Sequence, residues 1–283
     1  MLDSHLVVVS GKGGVGKSAV AAALALQAAS HGARVLVVGL TEPLGLAEHL
    51  GVERLTYEAR EIHPGVSALA LDRPAALDEY IRLQLRVPRA APTAQLTRAL
   101  TVLAETAPGI REIVTMGKPV FEVWSERWDH VIVDAPPLGQ LASYLRAPQT
   151  VASIVPGGRV RDQATAMAEV LAQDSELVLV ATPAELPVNE TLEAVAMLEG
   201  EGVIPVSAVV ANRVVEPLDV TNRSLSRLPE GPHREAVSLH TAVAADQTYW
   251  LAELDPAIRL PYLFGLLTPF EVAARIADLL EST

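Results

Sequence analysis

The sequence predicts an α/β fold: a mostly parallel, doubly wound sheet with helices on both faces and a helical insertion. Three observations lead there. Short runs of valine and leucine recur along the chain, each suited to a strand buried on both faces. Helix-forming stretches separate these runs, as parallel strands require. The first run, Leu6-Val-Val-Val-Ser10, passes through a glycine-rich turn into Ser18 to Ser30, which is Ala-rich and free of Pro and Gly.

The later elements follow in order. Arg34-Val-Leu-Val-Val-Gly-Leu40 reads as a second buried strand, and Val66 to Leu71 as an edge strand. Helical periodicity dominates from Pro74 to Trp128, with breaks near Pro88–Pro92 and at Pro108-Gly109. We read one domain over 1–283, carrying a helical subdomain insertion at about 74–128. His130-Val-Ile-Val-Asp134, Glu176 to Ala181 and Pro205 to Ala211 resume the sheet, with helices at about 159–172 and 187–200 between them. Residues 232–253 read as a long amphipathic helix and Ile258-Arg-Leu-Pro261 as a last short strand. Pro269 to Leu280 closes the chain as a helix, with the proline suited to its first turn. The stretch 213–231 is polar and turn-rich and predicts no element.

Composition excludes several classes. The chain has 283 residues, half of them hydrophobic, enough for a substantial core. It has no cysteine, so neither a disulfide framework nor a thiolate zinc site can form. A net charge of −12 opposes nonspecific attraction to nucleic acid or anionic lipid. The first residues, Met1-Leu-Asp-Ser-His5, lack the pattern of a signal peptide. The longest strongly apolar segment, Ala19 to Ala29, falls short of the roughly 20 residues a membrane span needs. A cytoplasmic protein that does not insert into membranes is the expectation.

The chemistry centres on residues 11–18, Gly-Lys-Gly-Gly-Val-Gly-Lys-Ser. Gly11, Gly16, Lys17 and Ser18 satisfy the phosphate-loop pattern G-x-x-x-x-G-K-[ST]. Strand, glycine loop and helix in succession place phosphate at a helix N-terminus. Gly11, Lys12, Gly13, Gly14, Val15, Gly16, Lys17, Ser18 and Ala19 are therefore the candidate nucleotide contacts. Lys17 is suited to the β and γ phosphates, and the Ser18 hydroxyl to Mg²⁺. Asp134 ends an apolar strand, where the acidic partner of Mg²⁺ belongs. The Ala135-Pro-Pro-Leu-Gly139 segment follows, with the Gly139 N–H as candidate γ-phosphate contact. Glu42, in Thr41-Glu42-Pro43, is the candidate to orient or deprotonate the attacking water. Asn212 ends a strand and carries an amide able to read an adenine edge. Pro261 is a candidate to lie against the base. Lys12 exceeds what the loop pattern needs, and its length suits it to a nucleotide on another subunit, as an arginine finger acts in trans.

These residues resemble the deviant-Walker (SIMIBI) family of dimeric P-loop ATPases, which includes MinD, ParA, the nitrogenase iron protein and the arsenical-pump ATPases. The mark is Lys-Gly-Gly-Val-Gly-Lys at 12–17. Asp134 to Gly139 with Arg146, Thr41-Glu42-Pro43, and Pro187-Val-Asn-Glu-Thr191 resemble motifs of the arsenical-pump and tail-anchored-protein-targeting (ArsA-like) branch. Ala107-Pro-Gly-Ile-Arg111, Gly117-Lys118 and Val133 to Gly139 are similar to actinobacterial "anion-transporter ATPase" proteins. The resemblance implies a P-loop NTPase sheet that binds ATP or ADP with Mg²⁺. It also implies ATP hydrolysis, a homodimer or paired heterodimer, and a protein client. Glu42 stands where that branch has Asp. One extra methylene shifts the carboxylate, which predicts slow turnover or help from a partner subunit. The zinc-binding cysteine pair of the targeting factors is absent. Two other readings compete: a ParA/MinD-type spatial organiser and a nucleotide-binding regulatory pseudo-ATPase. The first needs a basic surface, yet the closing helix carries one Arg against Glu271, Asp278 and Glu281.

Overall fold

The computed structural model describes residues 2–41, 43–85, 109–220, 229–256 and 258–281. These form one sheet of eight strands: β1 (Leu6–Gly11), β2 (Val35–Gly39), β3 (Arg60–His63), β4 (Val66–Ala70), β5 (His130–Asp134), β6 (Ser175–Ala181), β7 (Val206–Val214) and β8 (Ile258–Pro261). The order across the sheet is β3-β4-β2-β5-β1-β6-β7-β8. Every pairing is parallel except β3 with β4. The helices are α1 (Lys17–Ser30), α2 (Pro43–His49), α3 (Arg73–Leu85), α4 (Ile110–Trp124), α5 (Leu138–Ile154), α6 (Arg159–Gln173), α7 (Glu185–Glu201), α8 (Pro232–Leu254) and α9 (Pro269–Glu281). The mostly parallel α/β class read from the sequence is what the chain adopts.

Strand alternation divides the core. Val7, Val9, Val35, Val37, Ile132, Val178 and Val180 face α1, α2 and α9. Leu6, Val8, Leu36, Val38, Val131, Val133, Leu177 and Leu179 face the other way, onto α4, α5, α6 and α7. Both faces are covered, so the strands read as continuous apolar runs. The α1 face is built from small side chains: Ala21, Ala22, Ala23 and Ala25 are fully buried, which lets that helix lie close against the sheet. A smaller cluster joins Val188 of α7, Ala211 and Val214 of β7, and Leu251 and Leu254 of α8.

Three sequence readings change. Val66–Ala70 is not an edge strand. All five of its residues are buried, and β3 covers its outer side through a turn at Gly65. The four residues of β3 are polar or half-exposed and its pairing is irregular, so it lacks the period-2 pattern of a strand. Asn212 does not end β7, which continues to Val214. Helix α5 was not expected, because Pro148 lies inside it. The 74–128 stretch contains α3 and α4, and its middle, 86–108, lies outside the described residues. Helix α4 reaches the core through Met116 and Val120.

A charged cluster joins α3 to α4. Lys118 Nζ lies 2.8 Å from Glu79 and 3.0 Å from Glu122, and 4.9 Å from the centre of the Tyr57 ring. Arg127 at 2.5 Å and Trp128 Nε1 at 3.0 Å also reach Glu122. The side chains of Lys118 and Glu122 are 9 % and 2 % exposed. Burial pushes the Glu122 carboxyl up, but hydrogen bonds from Trp128 and Lys118 and the nearby cations outweigh it and hold it below its ordinary range. Tyr57 donates to Glu79, and burial with that bond raises the phenol.

At the opposite end of the sheet from the glycine loop, Glu176 points to the α1 face and is 5 % exposed. Its Oε1 has no hydrogen-bond partner among the described residues. Burial raises its carboxyl above the ordinary value, against the opposing bond from Ser207.

Candidate functional site

Strand β1 delivers its C-terminal end between β5 and β6, and the glycine loop leaves from there. Two glycines are dictated by contact. A Cβ on Gly11 would lie 2.0 Å from the Val180 carbonyl oxygen, inside the β1–β6 pairing. A Cβ on Gly16 would lie 2.3 Å from Asn212 Nδ2, and its φ of +99° is disfavoured for any other residue. Gly16 also precedes the first turn of α1, whose unbonded N–H groups lie at the loop.

The side chains converge. Ser18 Oγ donates to Asp134 Oδ2 at 2.6 Å, bringing together the two groups expected at Mg²⁺. Asp134 is 6 % exposed. Its carbonyl accepts from Leu40 N at 3.1 Å, and Ala135 N donates to Val9 O at 3.0 Å. Ser10 Oγ donates to the Pro136 carbonyl at 2.7 Å. The ends of β1, β2 and β5 are therefore tied to one another around the loop. Among the described residues there is no group of three His, Cys, Asp or Glu that could hold an ion. A hydroxyl and one carboxylate suit Mg²⁺, which takes few protein oxygens and completes its shell with phosphate and water.

Lys17 Nζ donates across the loop to the Lys12 carbonyl at 3.3 Å. The Lys12 ammonium turns the other way and pairs with Glu190 of α7. Gly13 and Gly14 complete the loop with open space where a Cβ would stand, and Val15 and Ala19 are buried. Asn212 Nδ2 donates to the Val15 carbonyl at 2.8 Å, and its Oδ1 accepts from Arg213 N at 2.9 Å. Arg213 adopts φ +60°, a strained left-handed conformation where the pairing of β7 with β8 becomes irregular. This amide is thus fastened to the loop backbone.

Gly139 is the second residue of α5, after Pro137, with open space around it. Pro261 ends β8 opposite Val214. It borders a cavity of about 450 Å³ shared with Val215, Arg259, Ala244 and Thr248. Glu42 lies outside the described residues; the strand before it, β2, ends at Gly39 in register with Asp134. Arg146 is away from this centre, paired with Glu201 of α7 on the surface. Two contributors carry no role in the sequence reading. Ser10 has a signal, a lone polar residue in a valine strand. Glu190 lies in the Pro187–Thr191 segment named for its resemblance, but nothing there pairs it with Lys12, since an acid on a helix ordinarily faces water.

The chain is similar to several known proteins. The family model described as anion-transporting ATPase matches residues 4–171, more than half of the chain. ATPase BagA of Mycobacterium tuberculosis is 33 % identical over 239 residues, covering 80 % of this chain and 70 % of that protein. ATPase get3 of Schizosaccharomyces japonicus is 30 % identical over 145 residues, covering 50 % and 43 % of the two chains. The get3 protein of Schizosaccharomyces pombe is 28 % identical over a similar span. With the loop, Ser18 and Asp134 assembled on a mostly parallel sheet, the chain belongs to the anion-transporting ATPase family.

Proposed function

We propose that this chain is a Mg²⁺-dependent ATPase that works as a nucleotide-driven switch, pairing with a second copy or a related subunit to act on a protein client. The observation that carries the reading is the 2.6 Å contact of Ser18 with Asp134 beside the glycine loop. Bound Mg²⁺ would neutralise charge on the transferred phosphoryl group. The chain's own residues do the rest. Loop N–H groups and Lys17 hold the phosphates, and the Gly139 N–H meets the γ-phosphate. Glu42 orients water, and Asn212 and Pro261 take the base. Lys12 reaches the partner's nucleotide. Turnover is slow, because the carboxylate at 42 is one methylene longer than the family's.

The client surface belongs to the 74–128 stretch, whose ends α3 and α4 are joined through Lys118. A membrane-organiser role fits poorly: the apolar side of α9, with Ala273, Ile276, Ala277 and Leu280, is already buried. Among the described residues no helix is long and apolar enough to cross a membrane.

Calorimetry and single-turnover phosphate release test the reading. Wild type should bind ATP with Mg²⁺ and release phosphate, and Lys17→Ala should lose triphosphate binding. Unchanged ATP affinity in Lys17→Ala would remove the loop assignment. ATP bound without phosphate release, even with excess protein, would leave a regulatory nucleotide sensor instead.

A further inference from the structure

The two lysines of the loop are held differently, and the difference involves a residue that the phosphate chemistry does not use. We propose that Glu190 is a positioning residue that holds Lys12 inside its own chain and sets how much phosphate charge a second copy must offer to draw it across. The proposal rests on the reading of Lys12 as a contact to the partner's nucleotide.

The geometry has three parts. First, Glu190 is carried on a fixed support. Helix α7 packs through Val188, Thr191, Ala194 and Leu198, all buried, so the carboxylate cannot follow the lysine if it leaves. Second, the ion pair is exchangeable. Its side chains are 28 % and 35 % exposed, so water and a competing anion can reach both groups. A pair of this exposure contributes little, and breaking it is an accessible step. Third, the pair is tied to the nucleotide site. The Lys12 carbonyl accepts from Lys17 Nζ at 3.3 Å while the Lys12 ammonium meets Glu190. Phosphate bound in the loop draws Lys17 toward itself, away from that carbonyl, and frees the backbone of Lys12.

The competition then follows from charge. In a single chain Glu190 offers Lys12 one negative charge. A partner's nucleotide offers more, a triphosphate more than a diphosphate. Glu190 therefore sets a threshold for pairing, which a triphosphate, with the added charge of its γ-phosphate, clears more readily than a diphosphate. Pairing without this carboxylate would be easier in either nucleotide.

The experiment is sedimentation of the full chain with Mg²⁺ and either ADP or a non-hydrolysable ATP analogue, for wild type, Glu190→Gln, Lys12→Ala and the double variant. Glu190→Gln should tighten analogue-dependent self-association about three-fold per protomer, or about ten-fold for a symmetric pair. Association in ADP should rise by a smaller factor, so that the ratio between the nucleotides does not fall. In the Lys12→Ala background the same substitution should change nothing, because Glu190 acts only through that lysine. Wild type that associates with the analogue while Glu190→Gln matches it would overturn the role of Glu190 alone. So would an equal effect of Glu190→Gln with and without Lys12, which marks a structural role. Wild type that stays monomeric in both nucleotides would overturn the partner-directed reading of Lys12 and this proposal with it.

Discussion

The glycine loop and the base of the α3–α4 pair each place a lysine against glutamate, with different consequences. Lys118 is almost fully buried between Glu79 and Glu122, over an aromatic ring, and Glu122 also binds Arg127 and Trp128. Lys12 has a single carboxylate partner among the described residues and stays in reach of water. A buried ion whose partner is removed is left uncompensated in a low dielectric, whereas a half-exposed ion is taken over by solvent. The first arrangement makes a joint. The second makes a contact that can change hands. The difference lies in burial and partner number, not in residue type.

The sharpest way to break this contrast is Lys118→Met. It should lower unfolding free energy by about 3 kcal/mol in urea titration, because Glu122 keeps its burial and loses a principal cation. Adding Glu122→Leu should recover part of that loss, since apolar residues replace buried ion pairs well. A loss no larger than that of Lys12→Ala would erase the distinction.

Asn212→Ala comes next. It removes the donor to the Val15 carbonyl and should cost about 1–2 kcal/mol of stability. The loop should also exchange its amide hydrogens faster, read by mass spectrometry.

Glu176 tests the rule from the other side, as a buried acid with one oxygen unpartnered. Its carboxyl is raised when folded, so the folded state holds the proton more tightly. The associated stability is present below the ordinary value of 4.5 and is lost as pH rises through the raised value. Glu176→Gln should remove that loss. Its melting temperature should fall progressively less than wild type's above pH 4.5, and parallel profiles would contradict the assignment.

The smallest effect belongs to Lys12→Ala. Its stability should change by less than about 1 kcal/mol. ADP affinity should stay within about two-fold of wild type by calorimetry, while ATP-dependent association weakens. Equal loss of ADP binding would make Lys12 an ordinary phosphate ligand.

The parts of the fold legible in the sequence are those set by local pattern. Valine runs mark the strands buried on both faces, and Ile258–Pro261 carries the expected bounds. The loop announces itself because phosphate chemistry needs glycines at fixed spacing. Where tertiary contact decides, the pattern is silent. Strand β3 owes its existence to the open side of β4, not to its own composition. Helix α5 accommodates an internal proline. Ser18 with Asp134 was legible, because both sit at strand or loop ends with known chemistry. Lys12 with Glu190 was not, since the partners are 178 positions apart and neither type implies the other.

Helix α1 has one more consequence. Its buried residues are mostly alanines, which have no rotamers to adjust, joined by Val20 and Leu24. The helix that carries Lys17 and Ser18 therefore has no slack. On the proposed switch reading, motion driven by nucleotide falls to the segments that follow β2 and β5, with α1 as a stationary datum. A distance probe anchored on α1 would register those segments without moving itself. A single enlargement such as Ala22→Val would shift the datum, and with it Lys17 and Ser18 together.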